Sequence, residues 1–415
     1  MTDIIDLRDL PQQDAHHDAR QGSVPFHVAS IDQQDIDAVV EVLRGGWLTT
    51  GPACRAFEDA FARTIGHGVE AIAVNSCTSA LHLALEALGV GHGDYVLVPS
   101  YTFTATAEVV RYLGAHPLLV DVDEATGNLT VDTVEQTYER LPRGVRARVK
   151  ALVPVHFAGL ACAMEELVAL AERRGWALVD DAAHALPASR KGLPVGSYGD
   201  VTAYSFYATK TLCTGEGGMV VTRRPEVAAR MRVMRLHGID RDVFNRYAEP
   251  DRWRYAVVAP GFKYNMTDMA AALGLSQLRR LDAMRDRRAA IAASYTAAFA
   301  QVDGLGTPPD APAGDVHAWH LYALRVLDGP RVRNRLVQEL ARLGVATSVH
   351  FIPLHLQPYY RDAYALEEHE CPGATRLHGR ELSLPLFPDM TPSQVQRVVE
   401  AVPLALARSR DRFGT

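Results

Sequence analysis

The sequence predicts an α/β protein whose mostly parallel, seven-stranded sheet is covered by helices and followed by a smaller C-terminal α+β domain. Between residues 71 and 222, short β-rich runs alternate with helical patterns, which is typical of a parallel sheet. After the Pro- and Gly-rich stretch 304–314, shorter strand-like and helical runs alternate in a second segment. We therefore expect an N-terminal arm over residues 1–30, a large domain over 31–275 and a small domain over 276–415.

The strands of the predicted sheet are short runs of aliphatic and β-branched residues. In chain order they span residues 71–74, 95–98, 117–121, 150–155, 177–181, 201–206 and 218–222. Two further strands, 319–327 and 347–351, are expected in the small domain.

The predicted helices carry apolar residues at helical spacing. They span residues 32–43, 79–88, 163–174, 331–343 and 391–407. From residue 268 a helical pattern continues for many turns, and the arginines from Arg279 to Arg288 are expected on its solvated face. The polar segment 240–261 is expected to be a long loop, and loops of that length tend to be functional.

Composition narrows the class of function. The chain has 415 residues and a net charge of -6, so no basic surface for the phosphates of a nucleic acid is expected. No apolar run approaches the roughly 18 to 20 residues of a membrane span, and residues 1–20 contain no signal-peptide run. Five scattered cysteines without a CxxC pair argue against disulfides and zinc. We expect a cytoplasmic protein that binds neither nucleic acid nor membrane.

Histidines also occur at spacings seen in metal sites. His317 lies three residues before His320, and His350 lies five residues before His355. No carboxylate or cysteine accompanies either pair, so no metal site is expected.

A small-residue turn, NSCTS (residues 75–79), follows the first predicted strand and opens directly onto a helix. In open parallel sheets, ligands bind outside the carboxyl ends of the strands. A helix N-terminus with free N–H groups and nearby hydroxyls can bind a phosphate, although an ordinary capped helix has the same pattern.

Two acids end the fifth predicted strand: Asp180 and Asp181, followed by Ala-Ala-His184. A carboxylate in this place needs a partner, because burial alone would raise its pKa and neutralise it. A protonated pyridine nitrogen is one suitable partner. There are two alternatives to this partner: the acids bind a metal ion, or Asp181 caps a helix.

Lys210 follows the sixth predicted strand in the run SFYATK, and the glycine-rich run GEGG (215–218) comes shortly after it. A lysine just beyond a buried strand can lose its proton and attack a carbonyl carbon, whereas most lysines are solvated surface groups. Pyridoxal phosphate needs an anion site, an acid facing its ring nitrogen and a lysine for the Schiff base. The combination of the three groups in this order therefore predicts pyridoxal 5'-phosphate as the cofactor.

On these residues the chain resembles the DegT-type (DnrJ/StrS-like) family of sugar aminotransferases, which are fold type I pyridoxal phosphate enzymes. The motifs that carry the resemblance extend almost from end to end: GGWLTTGP, NSCTSALHLAL, VPSYTFTATA, PVHFAG, VDDAAHA, SFYATKTLCTGEGG, GFKYNMTDMAAALG, HFIPLHLQPYY and LSLPLFPDMT. The resemblance implies two catalytic residues. Lys210 would form the Schiff base with the cofactor, and Asp181 would partner the pyridinium nitrogen.

The resemblance also implies further cofactor contacts. His184 matches the residue that hydrogen-bonds the ring hydroxyl, and Phe103 matches an aromatic that stacks on the pyridine face. Three positions match phosphate contacts: Thr78, Ser79 and Ser205. Asn265 matches an asparagine that reaches the phosphate from a second subunit, so a homodimer with shared active sites is implied.

The implied reaction moves an amino group from glutamate to a keto sugar, a nucleotide-activated 4-keto or 3-keto deoxysugar. The run GFKYNMTD, with Trp253 and Tyr255 before it, resembles the members that aminate C-4. A keto-inositol is an alternative acceptor. A keto-sugar dehydratase, in which histidine replaces the lysine, and a non-enzymatic regulator are alternative functions that the presence of Lys210 disfavours. Arg235, His237 and the loop from Asp240 to Trp253 are candidates for lining the acceptor site, because a nucleotide diphosphate requires cations.

Overall fold

The computed structural model describes residues 23–240 and 255–411. Its strands are β1 (Glu70–Val74), β2 (Tyr95–Pro99), β3 (His116–Val120), β4 (Val149–Leu152), β5 (Ala177–Asp181), β6 (Ser189–Arg190), β7 (Leu193–Pro194), β8 (Val201–Ser205), β9 (Gly218–Thr222), β10 (Leu305–Gly306), β11 (Tyr322–Val326) and β12 (Glu381–Leu384). Its α-helices are α1 (Gln33–Gly45), α2 (Pro52–Ile65), α3 (Cys77–Ala87), α4 (Ala105–Tyr112), α5 (Val131–Arg140), α6 (Arg143–Arg146), α7 (Met164–Arg174), α8 (Pro225–Met234), α9 (Asp268–Leu278), α10 (Leu281–Phe299), α11 (Pro330–Arg342), α12 (Pro358–Tyr364), α13 (Pro372–Arg380) and α14 (Pro392–Asp411). Among these described helices, none is long and apolar enough to cross a membrane.

The large sheet contains seven strands in the order β1–β9–β8–β5–β4–β2–β3. Strand β9 runs antiparallel to both of its neighbours, β1 and β8, and the remaining pairs are parallel. The α/β class with a mostly parallel seven-stranded sheet is therefore confirmed. Since β1, β5 and β8 run in the same direction, their carboxyl ends lie along one edge of the sheet, where open sheets bind ligands.

Strand β4 ends earlier than predicted. The sequence pattern indicates a strand over residues 150–155, but the ladder stops at Leu152. Pro154 follows, and it has no N–H to donate to a neighbouring strand. Val155 makes only an isolated bridge, with Asp181. The chain therefore leaves the sheet directly beside the end of β5.

Successive side chains of β1 face opposite sides of the sheet and pack against different helices. Ile72 and Val74 are buried with residues of α3. Ala71 and Ala73 are buried with Phe57 of α2. Full burial of a side chain such as Phe57 contributes on the order of 1.5–3 kcal/mol. This packing holds α2 and α3 on the two faces of the sheet, and α3 begins at the carboxyl edge.

The C-terminal segment forms a second, three-stranded antiparallel sheet in the order β10–β11–β12. Its core combines residues from 291–406, on α10, α11 and α14, with Val24 near the N-terminus. The N–H of Val24 donates to the carbonyl of Gly344 at 2.7 Å. Part of the predicted N-terminal arm thus packs against this C-terminal layer. The domain limits at residues 30 and 275 stay predictions.

The predicted strand at residues 347–351 is wrong. In this segment Ser348 alone pairs with β12, through two backbone hydrogen bonds to Ser383 of 2.8 and 3.1 Å. The next ladder position is lost because the N–H of His350 donates to the Glu381 carboxylate at 2.8 Å instead of to a backbone carbonyl. A side chain therefore takes the place of the strand partner.

The helical pattern that begins at residue 268 forms two helices instead of one. Helix α9 ends at Leu278 and α10 begins at Leu281. The guanidinium of Arg280, at the break, forms ion pairs with Asp32 (3.0 Å) and Asp35 (2.5 Å) of the α1 start. The break lets α9 pack beside α2 while later turns of α10 join the C-terminal core.

Residues 241–254, most of the predicted loop 240–261, lie outside the described residues. On either side of this gap the chain pairs with itself. The N–H of Asp240 donates to Ala256 at 3.1 Å, and that of Val258 donates to Gly238 at 2.8 Å.

Candidate active site

The turn after β1 is built by its own side chains. Ser76 caps α3, and its hydroxyl accepts a hydrogen bond from the N–H of Ser79 at 3.1 Å. The Ser79 hydroxyl donates to Asn75 at 2.6 Å. Within residues 23–240 and 255–411, the hydroxyl of Thr78 has no hydrogen-bond partner. The turn is therefore rigid, and Thr78 offers a free donor at the N-terminus of a helix, where anions bind.

Gly218 brings the start of β9 against this turn. A Cβ at this position would lie 2.6 Å from the carbonyl carbon and oxygen of Ser76 and 2.8 Å from the Cys77 nitrogen. Only glycine fits such an approach. Gly218 also pairs with Ser205, the last residue of β8, so that Ser205 lies beside the turn. The Ser205 hydroxyl accepts a hydrogen bond from the N–H of Tyr207 at 3.3 Å.

Asn265 lies at the same turn, next to the end of β1. It forms an antiparallel bridge with Val74 of its own chain. Its amide donates to the hydroxyl of Thr50 at 2.7 Å, and its carbonyl oxygen accepts from the Lys263 ammonium at 2.5 Å. Its expected contact with the cofactor of a second subunit stays a prediction.

The two acids at the end of β5 face opposite sides of the sheet, because side chains alternate along a strand. Asp181 is 5 % exposed and accepts hydrogen bonds from the Thr106 hydroxyl at 2.8 Å and the Ala183 N–H at 3.1 Å. Asp180 accepts instead from the Thr202 hydroxyl at 2.9 Å. Burial raises the pKa of Asp180 to about 7. Asp181 is therefore the acid on the side of Lys210.

Asp181 and Lys210 influence each other's charge. Burial raises the pKa of Asp181, while its hydrogen bonds from Thr106 and Ala183 and the nearby Lys210 ammonium lower it. Burial lowers the pKa of Lys210 from 10.5 to about 8, against the attraction of Asp181. The pair therefore combines a hydrogen-bonded acid with an amine that loses its proton near neutral pH.

His320 is the direct neighbour of the amine. Its Nε2 lies 3.3 Å from Lys210 Nζ. The rings of His320 and His184 lie 4.3 Å apart between centroids. His184 Nδ1 accepts a hydrogen bond from the Ala158 N–H at 3.3 Å, which leaves its Nε2 as the donor in the neutral ring.

The predicted stacking residue, Phe103, is 60 % exposed. Its ring centroid lies 6.3 Å from that of Phe351, and Phe351 lies 5.9 Å from His184. Phe103, Phe351, His184 and His320 thus form a continuous series of rings that leads from solvent to Lys210. The structure brings all the predicted site residues to this edge of the sheet, and their individual roles stay predictions.

Three side chains of this edge have no counterpart among the predicted site residues: His320, Arg288 and Thr106. Local sequence patterns could not identify His320, because its partner Lys210 is 110 residues away. For Arg288, the sequence contains a signal in the helical spacing of its neighbours. It follows Met284 by four residues and precedes Ile291 and Tyr295 by three and seven, and all three are buried on α10.

The expectation that the arginines of this segment are solvated is wrong for Arg288. Its side chain is 1 % exposed. It sits on the apolar face of α10 because its guanidinium donates to three backbone carbonyls, those of Trp319, His320 and Leu386. Hydrogen bonds to these carbonyls replace the water that a solvated arginine would have.

The guanidinium of Arg235, a candidate for lining the acceptor site, is engaged by groups of its own chain. It donates to Glu58 at 2.5 Å and to the carbonyl of Ala73 at 2.9 Å, so it ties α2 to β1. His237 is exposed. The rest of the predicted acceptor segment, including Trp253, lies outside the described residues.

The histidines with metal-like spacing have separate partners. His317 Nδ1 accepts from the Trp319 N–H at 2.8 Å, whereas His320 contacts Lys210. His350 bonds to Ser383 at 2.9 Å, and His355 bonds to Ser100 at 2.6 Å. The members of each pair therefore do not share a ligand site.

The side chains at this edge fit pyridoxal phosphate. A free hydroxyl and a helix N-terminus suit the phosphate, and the close approach of Gly218 shapes the turn around it. A buried carboxylate suits the ring nitrogen, and an amine with a lowered pKa suits the aldehyde carbon.

Residues 29–403 match a family described as the DegT/DnrJ/EryC1/StrS aminotransferase family. A similar protein of Bacillus subtilis (strain 168), the spore coat polysaccharide biosynthesis protein SpsC, is 44 % identical over 386 residues. That match covers 92 % of this chain and 97 % of the relative.

Similar solved structures are also aminotransferases. That of TlmJ from Streptoalloteichus hindustanus is 35 % identical, with a TM-score of 0.84, and covers 93 % of this chain and 100 % of the other. That of Spr1654 from Streptococcus pneumoniae, named as a sugar aminotransferase and solved in a PMP form, is 31 % identical, with a TM-score of 0.87 and the same coverage. Spr1654 is also solved in a PLP form, with a TM-score of 0.85.

Proposed function

Because the chain belongs to the DegT/DnrJ/EryC1/StrS family of sugar aminotransferases and is a pyridoxal phosphate-dependent enzyme, we propose that it transfers an amino group from glutamate to a keto sugar. The acceptor is a nucleotide-activated 4-keto or 3-keto deoxysugar. The observation that carries this proposal is the amine of Lys210, whose pKa is lowered by burial and which lies beside the hydrogen-bonded acid Asp181.

When bound, pyridoxal phosphate supplies an electron-poor ring that draws negative charge away from the substrate carbon that loses its proton. The carboxylate of Asp181 holds a proton on the ring nitrogen, which keeps the ring electron-poor. Thr106 and Ala183 fix Asp181 in the orientation for this task. An acid in this place can hold that proton, whereas an amide could not.

The neutral amine of Lys210 moves the proton during transfer. Its Nζ would take up the proton from the α-carbon of the amino donor and would release it again within the same half-reaction. A pKa of about 8 leaves part of the amine neutral at physiological pH. The ordinary lysine pKa of about 10.4 would leave almost none.

The remaining predicted residues hold the cofactor in place. Thr78, Ser205 and the N-terminus of α3 bind the phosphate, with Ser79 shaping the turn. His184 would offer its Nε2–H to the ring hydroxyl, and Phe103 would cover a face of the ring. Asn265 reaches the phosphate of a second subunit in a homodimer.

The sugar acceptor is supported by two relatives. SpsC belongs, by name, to polysaccharide biosynthesis, and Spr1654 is named as a sugar aminotransferase. The preference for C-4 rests on the run GFKYNMTD, of which Lys263, Tyr264 and Asn265 approach the end of β1.

The test is an absorbance spectrum of the purified, cofactor-loaded protein before and after addition of glutamate. We expect the band of the lysine-bound cofactor to give way to that of the pyridoxamine form. The protein in its pyridoxamine form is then offered 4-keto and 3-keto nucleotide sugars and a keto-inositol. The compound that restores the band of the lysine-bound cofactor is the acceptor.

Two outcomes would contradict the proposal. A bound chromophore that glutamate leaves unchanged would exclude glutamate as the donor and direct attention to another donor or to dehydration. A protein that binds no cofactor after reconstitution would remove the basis of the proposed reaction.

A further inference from the structure

Arg288 is a buried cation without an acidic partner. Its side chain is 1 % exposed, and within the described parts of the chain no carboxylate forms an ion pair with it. Burial lowers its pKa to about 10, which still leaves the guanidinium charged at neutral pH. Because a buried unpaired charge is costly to a fold, stability alone does not account for an arginine here.

The contacts of Arg288 lead to the reactive amine. Nη1 donates to the carbonyls of Leu386 (2.8 Å), His320 (3.3 Å) and Trp319 (3.4 Å). The imidazole of the same His320 has its Nε2 3.3 Å from Lys210 Nζ. Arg288 therefore holds the backbone carbonyl of His320, and the imidazole of the same residue contacts the amine of Lys210.

We propose that Arg288 is a positioning residue for Lys210: it fixes the backbone that presents His320 to the amine, and its buried charge opposes protonation of that amine. The inference rests on the proposed function, in which the neutral amine of Lys210 moves the proton. It adds a residue on α10, far along the chain from the predicted site, to the groups that set the state of Lys210.

The charges around Lys210 support this role. The ionisable groups that act on its amine or lie near it are Asp181, Cys77, Arg288, His184, His320, His350 and His27. Burial first, and then the nearby Lys210 charge, lower the pKa of His184 and His320 well below the ordinary value and that of His350 to about 4. These histidines are therefore neutral at physiological pH.

Cys77 is neutral as well. As a thiolate it would favour the ammonium form of Lys210, but burial raises its own pKa well above the ordinary value. His27 has its pKa lowered to about 4, mainly by burial. Asp181 and Arg288 thus remain as the two charges that compete over the amine. Burial, the largest cause of the lowered pKa of Lys210, would persist without Arg288. Asp181 would then meet no opposing charge among these groups, so the ammonium form would be more stable than in the wild type.

The geometric part of the role passes through His320. A neutral imidazole with a lone pair on Nε2 accepts a hydrogen bond from the amine and orients Nζ. The Nδ1 of His320 is buried and has no partner within the described residues, so the ring is not held from its other side. The backbone of His320 is held by two hydrogen bonds, from its own N–H to the carbonyl of Ala158 at 3.0 Å and from Arg288 to its carbonyl at 3.3 Å. The bond from Arg288 is the one that ties this backbone to α10.

The experiment measures the titration of Lys210 in the full-length protein freed of cofactor. An amine-acylating reagent is applied between pH 6 and 10, and the Lys210 peptide is quantified by mass spectrometry. We expect the wild-type rate to rise with a midpoint near pH 8. Arg288→Gln keeps a donor for the carbonyls but has no charge. Its midpoint should rise by about one unit, which makes acylation at pH 7 about tenfold slower.

Two further variants separate charge from geometry. Arg288→Lys keeps the charge, so its midpoint should stay within a few tenths of a unit of the wild type, although it replaces the contacts that Nη1 makes with the three carbonyls. His320→Phe keeps Arg288 and should not raise the midpoint, but it removes the Nε2 contact. In the cofactor-loaded enzyme, we expect it to lower kcat about tenfold at every pH while KM for glutamate stays within twofold.

The control is Arg333→Gln. Arg333 is also a buried arginine that donates to a backbone carbonyl, that of Glu381 at 2.6 Å, but its charge faces Glu381 and Tyr101. Its loss should leave the Lys210 midpoint unchanged. All variants are compared after thermal unfolding shows that they are folded. If Arg288→Gln is not folded, the second neutral variant Arg288→Met takes its place in the titration, with the same expected rise of the midpoint.

An unchanged midpoint in Arg288→Gln would overturn the role of the charge. Unchanged kcat in His320→Phe would overturn the positioning role. Because acylation is measured without cofactor or substrate, its result does not depend on transamination. A protein that titrates as expected but does not respond to glutamate would leave this inference standing and would contradict the proposed function instead.

Discussion

Lys210 occupies a place that penalises its charged form. Burial lowers the pKa of its amine to about 8, so roughly a tenth of the amine is neutral at pH 7. The nucleophilic form is therefore available without a separate base. The same burial acts on the acid opposite, Asp181, whose hydrogen bonds from Thr106 and Ala183 favour its ionised form.

Lys210→Ala should abolish transamination and leave the fold intact. The side chain supplies the amine, while the fold depends on the sheet core, to which Lys210 does not belong. Turnover of glutamate by the variant is measured beside its melting temperature. Residual turnover above about a thousandth of the wild-type rate would show that another group moves the proton.

Asp181→Asn should retain some cofactor but lose most of its rate, on the order of a hundredfold or more, because an amide cannot hold the proton on the ring nitrogen. The matched control is Asp180→Asn, which changes the neighbouring acid on the opposite face of the sheet. It should keep a rate within severalfold of the wild type. If the two variants exchanged these effects, the wrong acid would have been assigned.

Asp180 should make stability depend on pH. Burial raises its pKa from 3.8 to about 7, so between these values the folded state holds a proton that the unfolded state has released. The free energy of unfolding therefore falls as pH rises from about 4 to 7. Asp180→Asn cannot ionise and should escape this decline. We expect its melting temperature, relative to the wild type, to be higher at pH 8 than at pH 5 by several degrees. An equal difference at the two pH values would contradict this.

At the scale of elements, the site depends on the approach of two segments that the sheet order brings together. Strand β9 pairs with β1 on one side and β8 on the other, so Gly218 meets the start of α3 and the end of β8 at once. The turn at residues 75–79, Ser205 and Lys210 thereby share one edge. The distances between them depend on the direct contact of the Gly218 backbone with that of Ser76 and Cys77.

Gly218→Ala should therefore weaken cofactor binding. The added Cβ would lie 2.6 Å from the Ser76 carbonyl, so the turn must move. We expect at least a tenfold loss of affinity for pyridoxal phosphate and a destabilisation of about 1–3 kcal/mol. Gly144→Ala serves as the control, because a Cβ there meets nothing within 4 Å. Wild-type affinity in Gly218→Ala would show that the turn does not bind the phosphate.

At the scale of the whole molecule, the proposed homodimer shares its active sites through Asn265. Mixed subunits test this proposal. If Asn265 acts in the partner's site, a heterodimer of Lys210→Ala and Asn265→Ala subunits contains one complete site, because the intact Lys210 of one subunit meets the intact Asn265 of the other. Co-refolding equal amounts should restore about a quarter of the wild-type activity, since half of the dimers are mixed and each has one good site.

The parent homodimers are the controls for this experiment, and each should be impaired on its own. Asn265 lies beside Val74 and Thr50 of its own chain. If it acts within its own subunit, the mixture would show only the average of the two parents. Activity no higher than that average would contradict a shared site.

Much of the fold and of the site could be predicted from local patterns. The runs of β-branched residues and the glycines after helices indicated all seven strands of the large sheet, and the polar residues at strand ends indicated Asp181 and Lys210. These features are short in sequence, because strand alternation, helix spacing and capping act over a few residues. Two limits failed. The end of β4 is set locally by Pro154, which has no N–H to donate. The strand predicted at 347–351 is lost to a contact distant in sequence, in which the N–H of His350 donates to the Glu381 carboxylate.

The sequence by itself determined the α/β class, the order of the strands along the chain and the set of residue types that pyridoxal phosphate chemistry requires. The tertiary structure alone decided that His320 touches the amine and that Arg288 is buried behind it. The physical reason is distance along the chain. Contacts between residues tens to a hundred positions apart follow from the packing of whole elements, which no local periodicity encodes.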